Sequence, residues 1–317
     1  MSAEGLPRFL LSASLTYITA PAVRAAMLRS GTLDVPNHRS SHTAPTPRGG
    51  GLACLVGVTA ALVSPPRTTP VRDLVAVGAL AGVGLADDRT GGVDPRVRLL
   101  AQMAAGLVCG ARHSSAVALA SAVVVPGVVN VVNFMDGING ISGSTAAVWG
   151  TFAAVDRGSP MPTRALGAAT AGAGVGFLPH NVPNATLFLG DVGSYLLGAL
   201  MSVALVEALP QPSRALRLGA PLLPYAVDAA QALLRRARRG ETLFDAHREH
   251  VYQRIVDEHG WSHTKMSLAH AAVACTIAVI ARSTRPTVQI GGSAAVLTAY
   301  AAAPALLRRA RTRKGDR

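Results

Sequence analysis

SAVALASAVVVPGVVNVVNFMDGINGISG, residues 115–143, is the stretch that decides the fold. Residues 115–132 carry no charge, and apart from Asn130 their side chains are small or aliphatic. Such a run approaches the roughly 20 residues that a helix needs to cross hydrocarbon. It then gives way at once to Asn133, Asp136 and Asn139 among glycines, which reads as a helix ending where the bilayer meets water. The same alternation recurs along the chain. Apolar runs fall near 8–28, 49–66, 71–86, 98–112, 115–132, 138–155, 164–180, 192–209, 217–234, 267–282 and 288–307. The expected fold is an all-α polytopic helical bundle of about 10–11 transmembrane helices.

Composition points the same way. Half of the 317 residues are hydrophobic and 15% are charged, against about 25% charged in an average soluble protein. A soluble enzyme and a disordered chain are both excluded on this ground. Aromatics are only 4%, and the abundant Ala and Gly suit closely packed helices in lipid. Residues 9–23 could serve as a secretory signal core, but the many apolar runs that follow favour an uncleaved first span. Cys54, Cys109 and Cys275 lie inside apolar runs without metal-ligand spacing, as packing residues do. No repeat or linker divides the chain, so residues 1–317 read as one integral membrane domain, with a basic loop at 235–266 and a basic tail at 308–317.

Thirty Lys and Arg oppose 17 Asp and Glu, a formal charge of +13. If the loop at 31–48 is cytoplasmic, alternation puts 87–97, 130–137, 181–191, 235–266 and the C-terminus on the same side. About twenty of the thirty basic residues fall there, so the positive-inside bias sets that face in the cytoplasm. The basic residues are dispersed among apolar spans with no nucleic-acid-binding module, and a nucleic-acid partner is excluded.

Five polar motifs occupy that face. VPNHRSSHTAPTPRGGG (35–51) offers Asn37, Arg39, His42 and Arg48 for an anionic group. GLADDRTGGVDPRVRLLAQ (84–102) ends a helix on Asp87 and Asp88, adjacent carboxylates that need a cation or an acid-base role to offset their repulsion. NVVNFMDGINGISG (130–143) spaces Asn130, Asn133 and Asp136 by three, on one helix face. NVPNATLFLGDVGSYLLG (181–198) sets Asp191 between glycines at a helix start, as an N-cap or a cation ligand, with Phe188 placed to stack on a planar ring or to pack in lipid. FDAHREHVYQRIVDEHGWSH (244–263) puts His247 and His250 beside Arg248 and Arg254 on an expected amphipathic helix, for phosphate contact more than for zinc. Carboxylates suit Mg2+, and Mg2+ with Arg suits a diphosphate. Spacing alone supports metal-assisted phosphoryl transfer at the lipid-water boundary and leaves the substrate open.

In this order the five motifs resemble those of the polyprenyl-phosphate N-acetylhexosamine-1-phosphate transferases, the bacterial glycosyltransferase family 4 membrane enzymes, over about residues 30–265. The resemblance implies transfer of a sugar-1-phosphate from a UDP-N-acetyl-amino sugar to undecaprenyl phosphate, with release of UMP, at the start of a cell-envelope polysaccharide. It implies that Asp191 coordinates Mg2+ (or Mn2+) and that Phe188 stacks on uracil. Asp87 would deprotonate or orient the attacking lipid phosphate with Asp88 beside it. Asn133 and Asp136 would line the nucleotide and metal pocket, and His250 and His247 would contact the diphosphate. The chain departs from the family at Asn139, where an Asp is common, and at Tyr252 and Gln253, where further histidines often stand. The HREHVYQR form is closer to the O-antigen or exopolysaccharide branch than to the peptidoglycan branch. Competing readings are a peptidoglycan translocase acting on UDP-muramoyl-pentapeptide and, in another class, a proton-coupled multispan transporter. A homodimer is compatible with either.

Overall fold

Helix α8 (Gly190–Ala208) forms the axis of the protein. Its sequence is apolar all round, and nearly every residue from Val192 to Val206 is buried, as expected for a helix with neighbours on every side. The structure is a computed structural model and describes residues 5–36, 44–241 and 249–315, with side chains to residue 310. Around α8 stand α2 (Gly51–Val63), α3 (Val71–Thr90), α4 (Pro95–Gly110), α5 (Ser115–Met135), α6 (Ile141–Val155) and α7 (Met161–Asn181), and α1 (Gly5–Ser30) packs on α2 and α7. The chain continues through α9 (Pro212–Gly219), α10 (Leu223–Arg238), α11 (Val251–His259), α12 (His263–Ile280) and α13 (Ser293–Gly315). The strands described are a two-residue antiparallel pair, β1 (Leu33–Asp34) and β2 (Thr46–Pro47).

All eleven apolar runs fall on helices, and the protein is an all-α polytopic membrane protein. Four helices, Ser115–Met135, Gly190–Ala208, His263–Ile280 and Val288–Ala310, are long and apolar enough to cross a bilayer by length and composition. Others are shorter than a full span: α2, with 13 residues, reaches about 20 Å. The run at 217–234 is not one helix. Pro221 and Pro224 fall at its midpoint, and a single 3-10 turn, Ala220–Leu222, divides α9 from α10, because proline cannot donate to the preceding turn.

Small residues let these backbones touch. A Cβ on Gly51 of α2 would lie 2.1 Å from Cα of Gly193 in α8, and one on Gly84 of α3 would lie 2.3 Å from the Asp191 carbonyl oxygen. Gly172 of α7 meets the Phe9 carbonyl of α1 in the same way, at 2.4 Å. Helix α1 is therefore built into the bundle, with Ser12 and Thr16 fully buried.

Contacts sort the helix ends into two groups. At one end Arg8 of α1 donates to the Ala61 carbonyl of α2 at 2.7 Å. There Arg112, after α4, meets Asp73 of α3 at 3.3 Å and also Glu207 of α8; Arg217 meets Asp156 at 3.2 Å. At the other end lie the hairpin and the loops at 87–97, 136–140 and 181–190, together with α11. The described residues of the five polar motifs thus collect at one end of the bundle, as alternation requires.

Candidate active site

Asp88, in the last turn of α3, begins the site. Its two oxygens accept the N–H groups of Asp191 and Val192, each at 3.0 Å, which makes it an N-cap for α8 supplied from 103 residues away. A helix start leaves its first N–H groups without partners, and a carboxylate there also meets the positive end of the helix dipole. Arg48 supports it: Nη2 donates to the Asp88 carbonyl at 2.8 Å, and Nε lies 3.7 Å from its carboxylate. Gly190, at φ +74°, makes the turn into α8, where a Cβ would sit 2.7 Å from Asp88 Oδ2. The loop before it is held by main chain, with Phe188 N–H donating to the Pro47 carbonyl at 2.8 Å and Gly50 N–H to the Phe188 carbonyl at 2.8 Å. The Phe188 ring is half-buried.

Asp87 and Asp191 face one another within hydrogen-bonding reach. Asp87 also accepts from the Val93 N–H and from Arg98 Nη1 at 3.0 Å. Asp191 accepts from the Asn133 amide at 2.7 Å, and the same amide donates to Ser194 Oγ at 2.9 Å. Two carboxyls in contact repel unless a proton or a cation lies between them. Here Arg98 supplies one positive charge and the Asn133 amide a dipole.

Asp136 is the C-cap of α5, beyond the last helical residue. The expectation that Asn130, Asn133 and Asp136 share a helix face holds only for the two asparagines, because the chain turns at Asp136-Gly137. Even these diverge. Asn130 donates to Gln102 Oε1 of α4 at 2.7 Å, while Asn133 turns to α8. Burial pushes the Asp136 carboxyl up to about 6; Ser142 partly opposes the shift, and the nearby Asp88 carboxylate adds to it. Asn139 is drawn toward α12: its N–H donates to His263 Nδ1 at 3.3 Å, its amide to the Pro183 carbonyl at 3.2 Å, and its carbonyl accepts Ser267 Oγ at 2.7 Å.

His250 stands just before α11, and its backbone N–H donates to the Gln253 side chain at 3.3 Å. The expected helix carrying both histidines is not found: α11 begins at Val251, and His247 and Arg248 lie outside the described residues, as do Asn37, Arg39 and His42. Arg254 pairs with Glu258 along α11 at 3.0 Å. The buried His250 ring meets Asp228 of α10, Nδ1 to Oδ1, at 3.0 Å. Tyr225 and Tyr252 lie close enough to both Asp136 and Asp228 to feel each carboxylate. The sequence reading missed Asp228. Its signal was a lone carboxylate inside the apolar run at 217–234, which is costly in a membrane without a partner.

The site therefore joins Asp87, Asp88, Asn133 and Asp191 by direct contact, with Asp136 beside them and His250 beyond two tyrosines. Asn130 and Asn139 are committed to neighbouring helices. Acids at the ends of α3, α5 and α8 suit chemistry at the membrane surface rather than carriage of protons through mid-bilayer.

Residues 73–209, which include Asp87, Asp136 and Asp191, match the sequence profile of glycosyl transferase family 4. The chain is 28% identical to the decaprenyl-phosphate N-acetylglucosaminephosphotransferase of Mycobacterium leprae, over 95% of this chain and 90% of that protein. The Mycobacterium tuberculosis protein of the same name is 27% identical, over 82% and 77%. The phospho-N-acetylmuramoyl-pentapeptide-transferase of Moorella thermoacetica is 29% identical, over 62% and 73%. Motifs, fold and relatives agree: over residues 73–209 the chain is similar to glycosyl transferase family 4, and the relatives it matches carry the names of polyprenyl-phosphate sugar-phosphate transferases.

Proposed function

We propose that the protein transfers N-acetylglucosamine-1-phosphate, or the 1-phosphate of a closely related N-acetyl-amino sugar, from its UDP derivative to a C50–C55 polyprenyl phosphate, releasing UMP. The observation that carries this reading is the facing pair Asp87–Asp191, steadied by Asn133 and set at the N-terminus of α8. The relatives named for N-acetylglucosamine cover more of the chain than the one named for the muramoyl-pentapeptide, which favours the former donor. The basic residues gathered at the site end favour a cytoplasmic site, on the side where nucleotide sugars are made.

The residues fit a divalent cation. Among the described residues no three His, Cys, Asp or Glu side chains converge at metal-ligand spacing. Mg2+ suits such a site because it takes one or two carboxylates and completes its shell with phosphate oxygens and water. Asp191 would hold it with Asp87 alongside, and the ion would neutralise diphosphate charge. The chain's own groups do the rest. Asp87 orients the incoming lipid phosphate, with its charge balanced by Arg98. Asn133 fixes the Asp191 rotamer, and Asp136 faces the nucleotide. Phe188, pinned through its main chain, offers a ring for the uracil. His250 meets the diphosphate and offsets charge as the bond to UMP breaks. Holding two anionic reactants in line supplies much of such a rate enhancement.

Membranes containing the protein, given polyprenyl phosphate and each labelled UDP-sugar in turn, test this directly. Label should enter lipid from UDP-N-acetylglucosamine or a deoxy relative, and UMP should appear in equal amount. Label entering only from UDP-muramoyl-pentapeptide would reject the donor.

A further inference from the structure

We infer that Asp228 is the positioning residue for His250, fixing which ring nitrogen is presented to the diphosphate; the inference rests on the reading of His250 as a diphosphate contact. The Asp228 side chain is fully buried, and three donors converge on it. His250 Nδ1 and Val251 N–H reach Oδ1 at 3.0 and 2.9 Å, and the Tyr300 hydroxyl donates to Oδ2 at 3.0 Å. An ionised carboxylate only accepts hydrogen bonds. Nδ1 therefore carries a proton toward Asp228, and the ring turns Nε2 to the diphosphate, to which it donates as the imidazolium.

The arrangement extends outward in a consistent direction. With its proton turned to Asp228, the Tyr300 oxygen accepts from His270 Nδ1 at 3.1 Å. Asp228 on α10, His270 on α12 and Tyr300 on α13 thus brace a histidine at the start of α11. Burying a carboxylate costs several kcal/mol unless hydrogen bonds replace its water. Mere helix packing would not require one here, since apolar residues would fill α10 as well. The same Oδ1 also seats the first N–H of α11, so one oxygen sets both the backbone and the ring of His250.

The test is a double-mutant cycle in which labelled donor reads turnover down to a small fraction of wild type. Asp228→Asn is isosteric: its amide oxygen can keep the His250 and Val251 bonds while the Tyr300 hydroxyl turns to accept from the amide, but it lacks the negative charge that supports a charged His250 ring. Its loss should be about 10–100-fold, the usual effect of removing a histidine's carboxylate partner, and should fall on kcat more than on the donor KM. In a His250→Ala background the same substitution should cost less than about twofold, because a group acting through an absent ring has nothing to position. Tyr300→Phe, which keeps its packing, should give a smaller loss that also vanishes in His250→Ala. This variant carries the test if Asp228→Asn fails to accumulate. Equal losses in both backgrounds, or wild-type turnover in Asp228→Asn, would overturn the inference alone. A wild-type protein that transfers no sugar phosphate from any UDP donor would instead overturn the function on which it rests.

Discussion

Replacing Asp88 by Ala separates structural support from chemistry at the paired aspartates. Both carboxylate oxygens of Asp88 are engaged by the first N–H groups of α8, at 3.0 Å each, in a buried setting. Hydrogen bonds to a charged group contribute about 1.5–3 kcal/mol each. Removing the acceptor strands two N–H groups and leaves Arg48 without its carboxylate. A loss of about 3–6 kcal/mol follows. At an unfolding entropy of about 2 cal/mol/K per residue, this lowers the melting temperature by several degrees. Asp87→Ala should cost far less stability, because relief of its contact with Asp191 offsets the lost Arg98 pair. The assay is thermal unfolding of the purified protein in detergent, with turnover measured on the same samples. An Asp88→Ala protein that melts with wild type yet transfers nothing would refute the capping argument and return Asp88 to the chemistry.

Other substitutions report on separate parts of the structure. Gly51→Ala drives a Cβ to 2.1 Å from the Gly193 backbone, so α2 cannot seat against α8; the variant should be recovered poorly and melt well below wild type in the same assay. Asp136, raised from 3.8 to about 6, binds its proton more tightly in the folded state. The fold therefore loses up to about 3 kcal/mol as pH rises from 4 through 6. Asp136→Asn should thus be more stable than wild type at pH 7.5 and equal to it below pH 4, and a constant difference across this range would contradict the shift. Phe188→Ala should weaken UMP binding by about 1–3 kcal/mol, as loss of a base-aromatic stack does, in a calorimetric titration; unchanged affinity would mean that the ring only packs.

The helices were legible because hydrocarbon imposes its pattern on every span: apolar runs had to be helical, and their polar ends had to collect on alternate faces. Asp191 was legible from the glycines that flank a helix start. What sequence spacing could not show was which neighbour a side chain turns toward. Asn130 and Asn133 sit three apart on α5, yet one faces α4 and the other α8, since α5 packs between them. Asp88 looked like half of an acidic pair because its partners, two backbone N–H groups, carry no sequence signature. Asp228 escaped notice inside an apolar run, 22 residues from the histidine it holds. The run at 217–234 overstated a span because its prolines were read through.

The central claim is that carboxylates from α3 and α8 form one divalent-cation site that nucleotide phosphate completes. Electron paramagnetic resonance of Mn2+ bound to the purified protein, titrated with and without UMP, measures this without reference to donor or lipid. One ion should bind per chain, more tightly when UMP is present, and Asp191→Asn should weaken binding at least tenfold while leaving the melting temperature near that of wild type. Mn2+ binding to Asp191→Asn that matches wild type, with UMP making no difference in either protein, would contradict the account.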